Sequence, residues 1–135
     1  MPLGILDAVP ALQPGMTSGH TVTITPGTEH VEVTLGDQVL ASTDRPKLLD
    51  ETGLPRRYYL PRDDVRMDLL TPTSFHTTCP FKGEASYWSV TVDGEVHDGI
   101  VWAYEEPIDA AGDIAGHLSF YPDRVTITVD GEPLA

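Results

Sequence analysis

The chain has 135 residues and a formal net charge of −13, from 8 basic and 21 acidic side chains. That length suits one domain able to bury roughly two thirds of the surface its unfolded chain exposes. Phosphate binding needs clustered Lys and Arg, and none precedes Arg45, so the charge argues against a nucleic-acid partner and is read as solubility.

In chain order, residues 1–19 are rich in Pro and Gly and are expected to form a flexible arm ahead of a single β domain over residues 20–135. With Asp7, Pro10 and Pro14 and no basic start, they do not read as a signal peptide. No apolar run approaches membrane length, so a cytoplasmic protein with no membrane partner is expected. HTVTIT and HVEVTL alternate with period two, which puts Val22 and Ile24, then Val31, Val33 and Leu35, on one face each. Gly36-Asp37 turns the chain into QVLAS as a first hairpin. Arg45 to Thr52 is expected to form a short helical turn ended by Gly53.

RRYYLP follows as a short strand stopped by Pro61, and Pro61 to Leu70 as a second brief helical turn begun by Asp63 and Asp64. A loop, Cys79-Pro-Phe-Lys-Gly83, then leads into a central hairpin. A second loop spans Glu105 to Asp113, and two last strands, IAGHLSFY and RVTITVD, flank a Tyr-Pro-Asp-Arg turn. Short strands with closely spaced turn signals imply an all-β domain.

All ten aromatic residues fall between Tyr58 and Tyr121, and many lie on or beside the central hairpin. With Asp93-Gly94 as its two-residue loop, Val92 faces Glu95 and Tyr87 faces Ile100. Tyr87, Ile100, Trp102 and Tyr104 then share one face; Trp88, Val90, Val101 and Ala103 share the other. A slip of one residue would reverse one strand relative to the other.

Candidate site residues follow from this hairpin. Trp102, Tyr104, Tyr59 and Trp88 form an aromatic wall, since flat rings give contact area at low entropy cost. Lys82, one of two lysines in the chain, stands beside it as an anchor for a carboxylate or phosphate, or else pairs with Glu84 or Glu105. Arg57 belongs to an island of four arginines between residues 56 and 66. That island either faces an anion or pairs with Glu105, Glu106 and Asp109. Gly83 suits a close backbone approach or a bulge.

A lone Cys79 excludes an internal disulfide and a zinc site built mainly from thiolates. The five histidines show no ligand spacing, so no metal and no cofactor are expected.

RRYYLPRDDV, TTCPFKGEASYWSV, VWAYEEP, IAGHLSFYPDRV and the closing VDGE, in this order, resemble the bacterial domain-of-unknown-function 427 family over residues 28 to 132. The resemblance implies a β-tent-like fold, similar to methionine sulfoxide reductase B and the thalidomide-binding domain of cereblon. Many such proteins clamp two sheets with four zinc-bound cysteines; here aromatic packing must take that place. The family is sometimes labelled nucleotidyltransferase-like, which would need paired carboxylates on a strand and a Gly-Ser phosphate cradle. No Gly-Ser motif precedes any of the acidic pairs, Asp50-Glu51, Asp63-Asp64, Asp93/Glu95 and Glu105-Glu106. By analogy with the reductase, Cys79 could be a thiolate activated by His76 and Lys82. With no resolving thiol, a packed, unreactive cysteine is the preferred reading.

The expected fold is mainly β: one compact domain of two packed antiparallel sheets with one or two short helical turns. The expected function is binding of an unidentified small molecule in an aromatic-lined pocket, without catalysis. An enzyme using Cys79 or an acidic pair, and an interaction module presenting the hairpin, are the alternatives; the state is monomer or homodimer.

Overall fold

The computed structural model describes residues 20–134; the arm expected over residues 1–19 lies outside them. The first five strands are β1 (Val22–Pro26), β2 (Val31–Leu35), β3 (Gln38–Thr43), β4 (Lys47–Glu51) and β5 (Arg57–Tyr59). Three long strands follow, β6 (Leu70–Cys79), β7 (Gly83–Val92) and β8 (Glu95–Ala103), then β9 (Leu118–Phe120), β10 (Thr126–Val129) and β11 (Glu132–Pro133). They form three antiparallel sheets, in the orders β1-β4-β5, β11-β10-β2-β3 and β6-β7-β8-β9.

The chain is mainly β, as its alternation predicts, with three sheets where two were expected. The added sheet is built on β4, the segment expected to be helical. Leu48 and Leu49 are adjacent and both buried, and the β4 backbone is paired on one side with β1 and on the other with β5. Two adjacent buried leucines followed by two acidic residues break the alternation, which hides the strand from a period-two reading. Gly53, at φ +78°, closes a turn after a strand instead of capping a helix.

β6 is also a strand that the sequence pattern does not assign. It is an edge strand, largely polar and exposed, so no apolar alternation marks it, and Pro72 is tolerated there because an edge has no second neighbour to pair. The expected turn in Pro61–Leu70 is present as two single 3-10 turns, Arg62–Asp64 and Met67–Leu69. A third, Asp109–Ile114, begins in the Glu105–Asp113 loop and takes in the first residue of the expected strand IAGHLSFY, of which only Leu118–Phe120 is strand; it buries Ala111 and Ile114.

Both two-residue hairpins form as expected: Leu35 faces Gln38, and Val92 faces Glu95. Asp93 and Gly94 have φ of 52° and 77°, the left-handed pair that matches strand twist. Beyond Val90–His97 the β7–β8 register shifts, and Tyr87 faces Trp102, Trp88 faces Val101. The shift is two residues, so parity survives. Tyr87, Trp102 and Tyr104 share one hydrophobic cluster; Trp88, Val90, Val101 and Ala103 share the other. Ile100 alone changes sides and joins Trp88, because a bulge at Gly99, φ +61°, rotates the chain before it.

These clusters place the β6–β9 sheet at the centre. One face packs on β2, β3 and β10 through Val31, Val33, Leu40 and Ile127. The other packs on β4 and β5 through Leu49 and Tyr59, with Ala111 and Ile114 of the third 3-10 turn. No helix among the described residues is long and apolar enough to cross a membrane.

Candidate functional site

Beside the second cluster, β4, β5, β7 and β8 leave a concavity of about 190 Å³. Five of the six residues expected to form the site line it: Arg57, Tyr59, Lys82, Trp102 and Tyr104. Trp88 does not. It faces the opposite side of β7, 5% exposed in the first cluster, with the Arg62 guanidinium 5.7 Å from its ring centre.

The wall is held by its own hydrogen bonding. Trp102 Nε1 donates to Tyr59 Oη at 3.1 Å, with the two rings perpendicular and their centroids 6.2 Å apart. Tyr104 lies 6.5 Å from Tyr59, and Tyr121 stacks obliquely on Trp102 at 4.5 Å. Burial pushes the Tyr59 and Tyr104 hydroxyls well above the usual phenol range, so both stay neutral donors. Burial and a hydrogen bond with Tyr87 push Tyr121 up to about 12.

Lys82 is 8% exposed and its ammonium donates to Glu51 Oε1, rather than to Glu84 or Glu105. Glu51 Oε2 meets His20 Nε2 at 3.0 Å, and the His20 ring stacks on Phe81 at 3.9 Å. The Glu51 side chain is only 7% exposed. A buried carboxylate is tolerated only when paired and hydrogen-bonded, and both of its oxygens are engaged. Strand alternation explains the split of the Asp50-Glu51 pair. Asp50 points outward to Arg56, at 2.8 and 3.1 Å, and that guanidinium holds its carboxyl below the usual range. Glu51 points into the site.

Gly83 fixes the position of Lys82. At φ +117° it lets Pro107 and Ile108 approach so closely that a Cβ would meet their backbone at 3.2 Å. Ile108 N–H donates to the Lys82 carbonyl at 2.9 Å. The expected close approach is therefore real, and it ties the second loop to the mouth of the concavity.

Arg57 is the cation left over. Its guanidinium stands 5.5 Å from the Trp102 ring centre, and it pairs with no carboxylate among the described residues. The rest of the arginine island is committed: Arg56 to Asp50, Arg62 to Glu105 at 3.8 Å, and Arg66 to Asp68. Arg62 thus follows the expected internal pairing, and Arg57 does not.

Glu51, His20, Tyr87 and Tyr121 were not singled out as site residues by the sequence. Tyr87 and Tyr121 were signalled by the clustering of aromatics. Glu51 carries no such signal in a segment that reads as a helical turn. Cys79 ends β6, half-buried and packed against the second cluster. Among the described residues no three His, Cys, Asp or Glu side chains gather closely enough to hold a metal ion.

The family model described as Domain of unknown function (DUF427) matches residues 23–131, and its short name carries a nucleotidyltransferase label. No curated protein gives a significant match.

Proposed function

The chain belongs to the domain-of-unknown-function 427 family, and on that premise we propose that it is a non-enzymatic binding domain for a small, flat molecule with one negative or carbonyl group. The ligand sits in the concavity against Trp102, Tyr104 and Tyr59. The observation that carries this reading is an uncommitted guanidinium, Arg57, set over a buried aromatic wall. The Lys82–Glu51 pair is neutral as a unit, so Arg57 leaves the site locally positive in a chain of net charge −13.

The anchoring charge therefore falls to Arg57. The fork of a guanidinium suits a carboxylate, which it can meet with two parallel hydrogen bonds. Tyr59 Oη accepts from Trp102, which leaves its own hydrogen to donate. The concavity, about 190 Å³, falls below the range of about 300–1,000 Å³ typical of drug-sized ligands, which favours a single-ring metabolite. The acidic surroundings disfavour a polyanion such as a nucleoside triphosphate.

A nucleotidyltransferase reading fits the side chains less well. It needs at least two carboxylates converging on Mg²⁺, whereas among the described residues Glu51 is the one carboxylate lining the concavity, with both oxygens occupied by Lys82 and His20.

A thermal-shift panel of single-ring carboxylates and amides, followed by calorimetric titration, tests the proposal. We expect a stabilising carboxylate whose affinity falls roughly tenfold or more in Arg57→Gln, the scale of one lost charged hydrogen bond. Undiminished binding by Arg57→Gln, or no stabiliser in the panel, overturns it.

A further inference from the structure

A second concavity lies on the same sheet, and its origin is a coincidence of two bulges. On β6 the pairing with β7 shifts between Pro72 and His76; on β8 it shifts between the partners of Trp88 and Val90. Both irregularities therefore fall at the same level of β7, around Tyr87–Ser89. Bulges re-aim side chains and open a sheet locally, and here two of them open it on both sides of one strand.

Each bulge is fixed by side-chain hydrogen bonds. In β6, Thr73 Oγ1 donates to the Tyr87 carbonyl at 3.0 Å and accepts from the Phe75 N–H at 3.2 Å. This turns the Phe75 ring onto Tyr87, centroids 5.1 Å apart, and leaves Phe75 61% exposed. In β8, the Gly99 N–H donates to Ser89 Oγ at 3.1 Å, and Ser89 Oγ donates to Asp98 at 3.3 Å. Ser89 is itself buried, 7% exposed, so it is a fixed support for the Asp98 carboxylate.

The result is a concavity of about 410 Å³ walled by the rings of Phe75, Tyr87 and Tyr121, with Asp98 as its charge. No lysine or arginine lines it, and Asp98 pairs with no cation among the described residues. Aromatic faces attract cations through their quadrupole, and a carboxylate adds a full opposite charge. We propose that this is a second binding site, for a compact free alkylammonium such as a quaternary amine. It is distinct from the Arg57 concavity, whose charge has the opposite sign, and the two share only the tyrosine wall.

The preference for an ammonium over a bare metal ion follows from the lining. A metal needs several oxygen ligands, and here one carboxylate and the hydroxyls of Thr73 and Ser89, both already hydrogen-bonded within the sheet, accompany three rings. A quaternary ammonium needs no hydrogen bonds and is easily stripped of water, so rings and a single charge suffice to hold it.

The test uses choline and its neutral isostere, 3,3-dimethyl-1-butanol, titrated into the full chain and followed by the NMR shifts of the Gly99 amide and the Phe75 ring. Choline is expected to saturate these shifts with an affinity at least tenfold higher than the alcohol. Asp98→Asn should remove that difference and Phe75→Ala should weaken choline severalfold; both positions are exposed, and a retained melting temperature certifies the fold. Arg57→Gln should leave choline binding unchanged, which separates this site from the first. Equal binding of the alcohol, no saturation by choline, or full choline affinity in Asp98→Asn overturns the proposal.

Discussion

Trp102 and Tyr59, 43 positions apart in the chain, are joined by a buried hydrogen bond of 3.1 Å from indole to phenol. One bond thus ties β8 of the central sheet to β5 of the outer one, in the wall of the first concavity. Tyr59 is 1% exposed and Trp102 6%, so the bond joins two nearly buried groups.

Tyr59→Phe should therefore leave the indole N–H without its partner and lower stability by about 1–3 kcal/mol, the cost of an unsatisfied buried donor. Urea unfolding followed by tryptophan fluorescence measures it. A loss well under this range would mean that the indole finds another acceptor.

The Lys82–Glu51 pair predicts strong non-additivity. Lys82→Met or Glu51→Gln alone leaves a buried group without its counter-charge and should cost about 3–5 kcal/mol. The double variant should recover most of that loss, because neither charge then remains. Simple addition of the two single effects in denaturant unfolding would contradict the geometry.

His30 predicts a small pH effect. Its Nδ1 meets Asp44 at 2.6 Å, and that hydrogen bond raises its pKa above the usual 6.5. A raised folded-state value contributes stability that is full below the unfolded value and is lost as pH rises through the folded one. The pair is exposed to solvent, so the effect is slight. NMR titration of the His30 ring should give a midpoint above 6.5, returning towards it in Asp44→Asn.

Gly83→Ala should cost about 1–3 kcal/mol, since φ +117° is closed to other side chains and the added methyl meets the backbone of Pro107 and Ile108. The change also loosens the loop that holds the Lys82 carbonyl. Thermal unfolding reads the first effect, and faster exchange of the Ile108 amide the second.

Much of this architecture was legible in the sequence, and for identifiable reasons. The faces of the central hairpin could be assigned because the Asp93-Gly94 turn set the starting register, and the later slip of two residues preserves parity. A slip of one would have put Trp88 and Trp102 on the same face. Ile100 was misplaced because nothing in the sequence marks a bulge at Gly99 apart from the glycine itself. β4 and β6 were missed for different reasons: two adjacent buried leucines break the alternation of the one, and the other is buried on almost no face. Missing β4 carried away Glu51, and with it the partner of Lys82. Arg57, by contrast, stands in the arginine cluster that the sequence marks, and it lines the concavity without a carboxylate partner among the described residues, whereas Lys82 is paired with Glu51.

Tyr87 and Tyr121 border both concavities, one presenting a guanidinium and the other a carboxylate. Any occupant that shifts these two rings on one side reshapes the other side as well. Linkage then requires the influence to be mutual: whatever factor the first guest imposes on the affinity of the second, the second imposes on the first. Two guests of opposite charge, separated by a pair of phenols, would thus report on each other without ever touching.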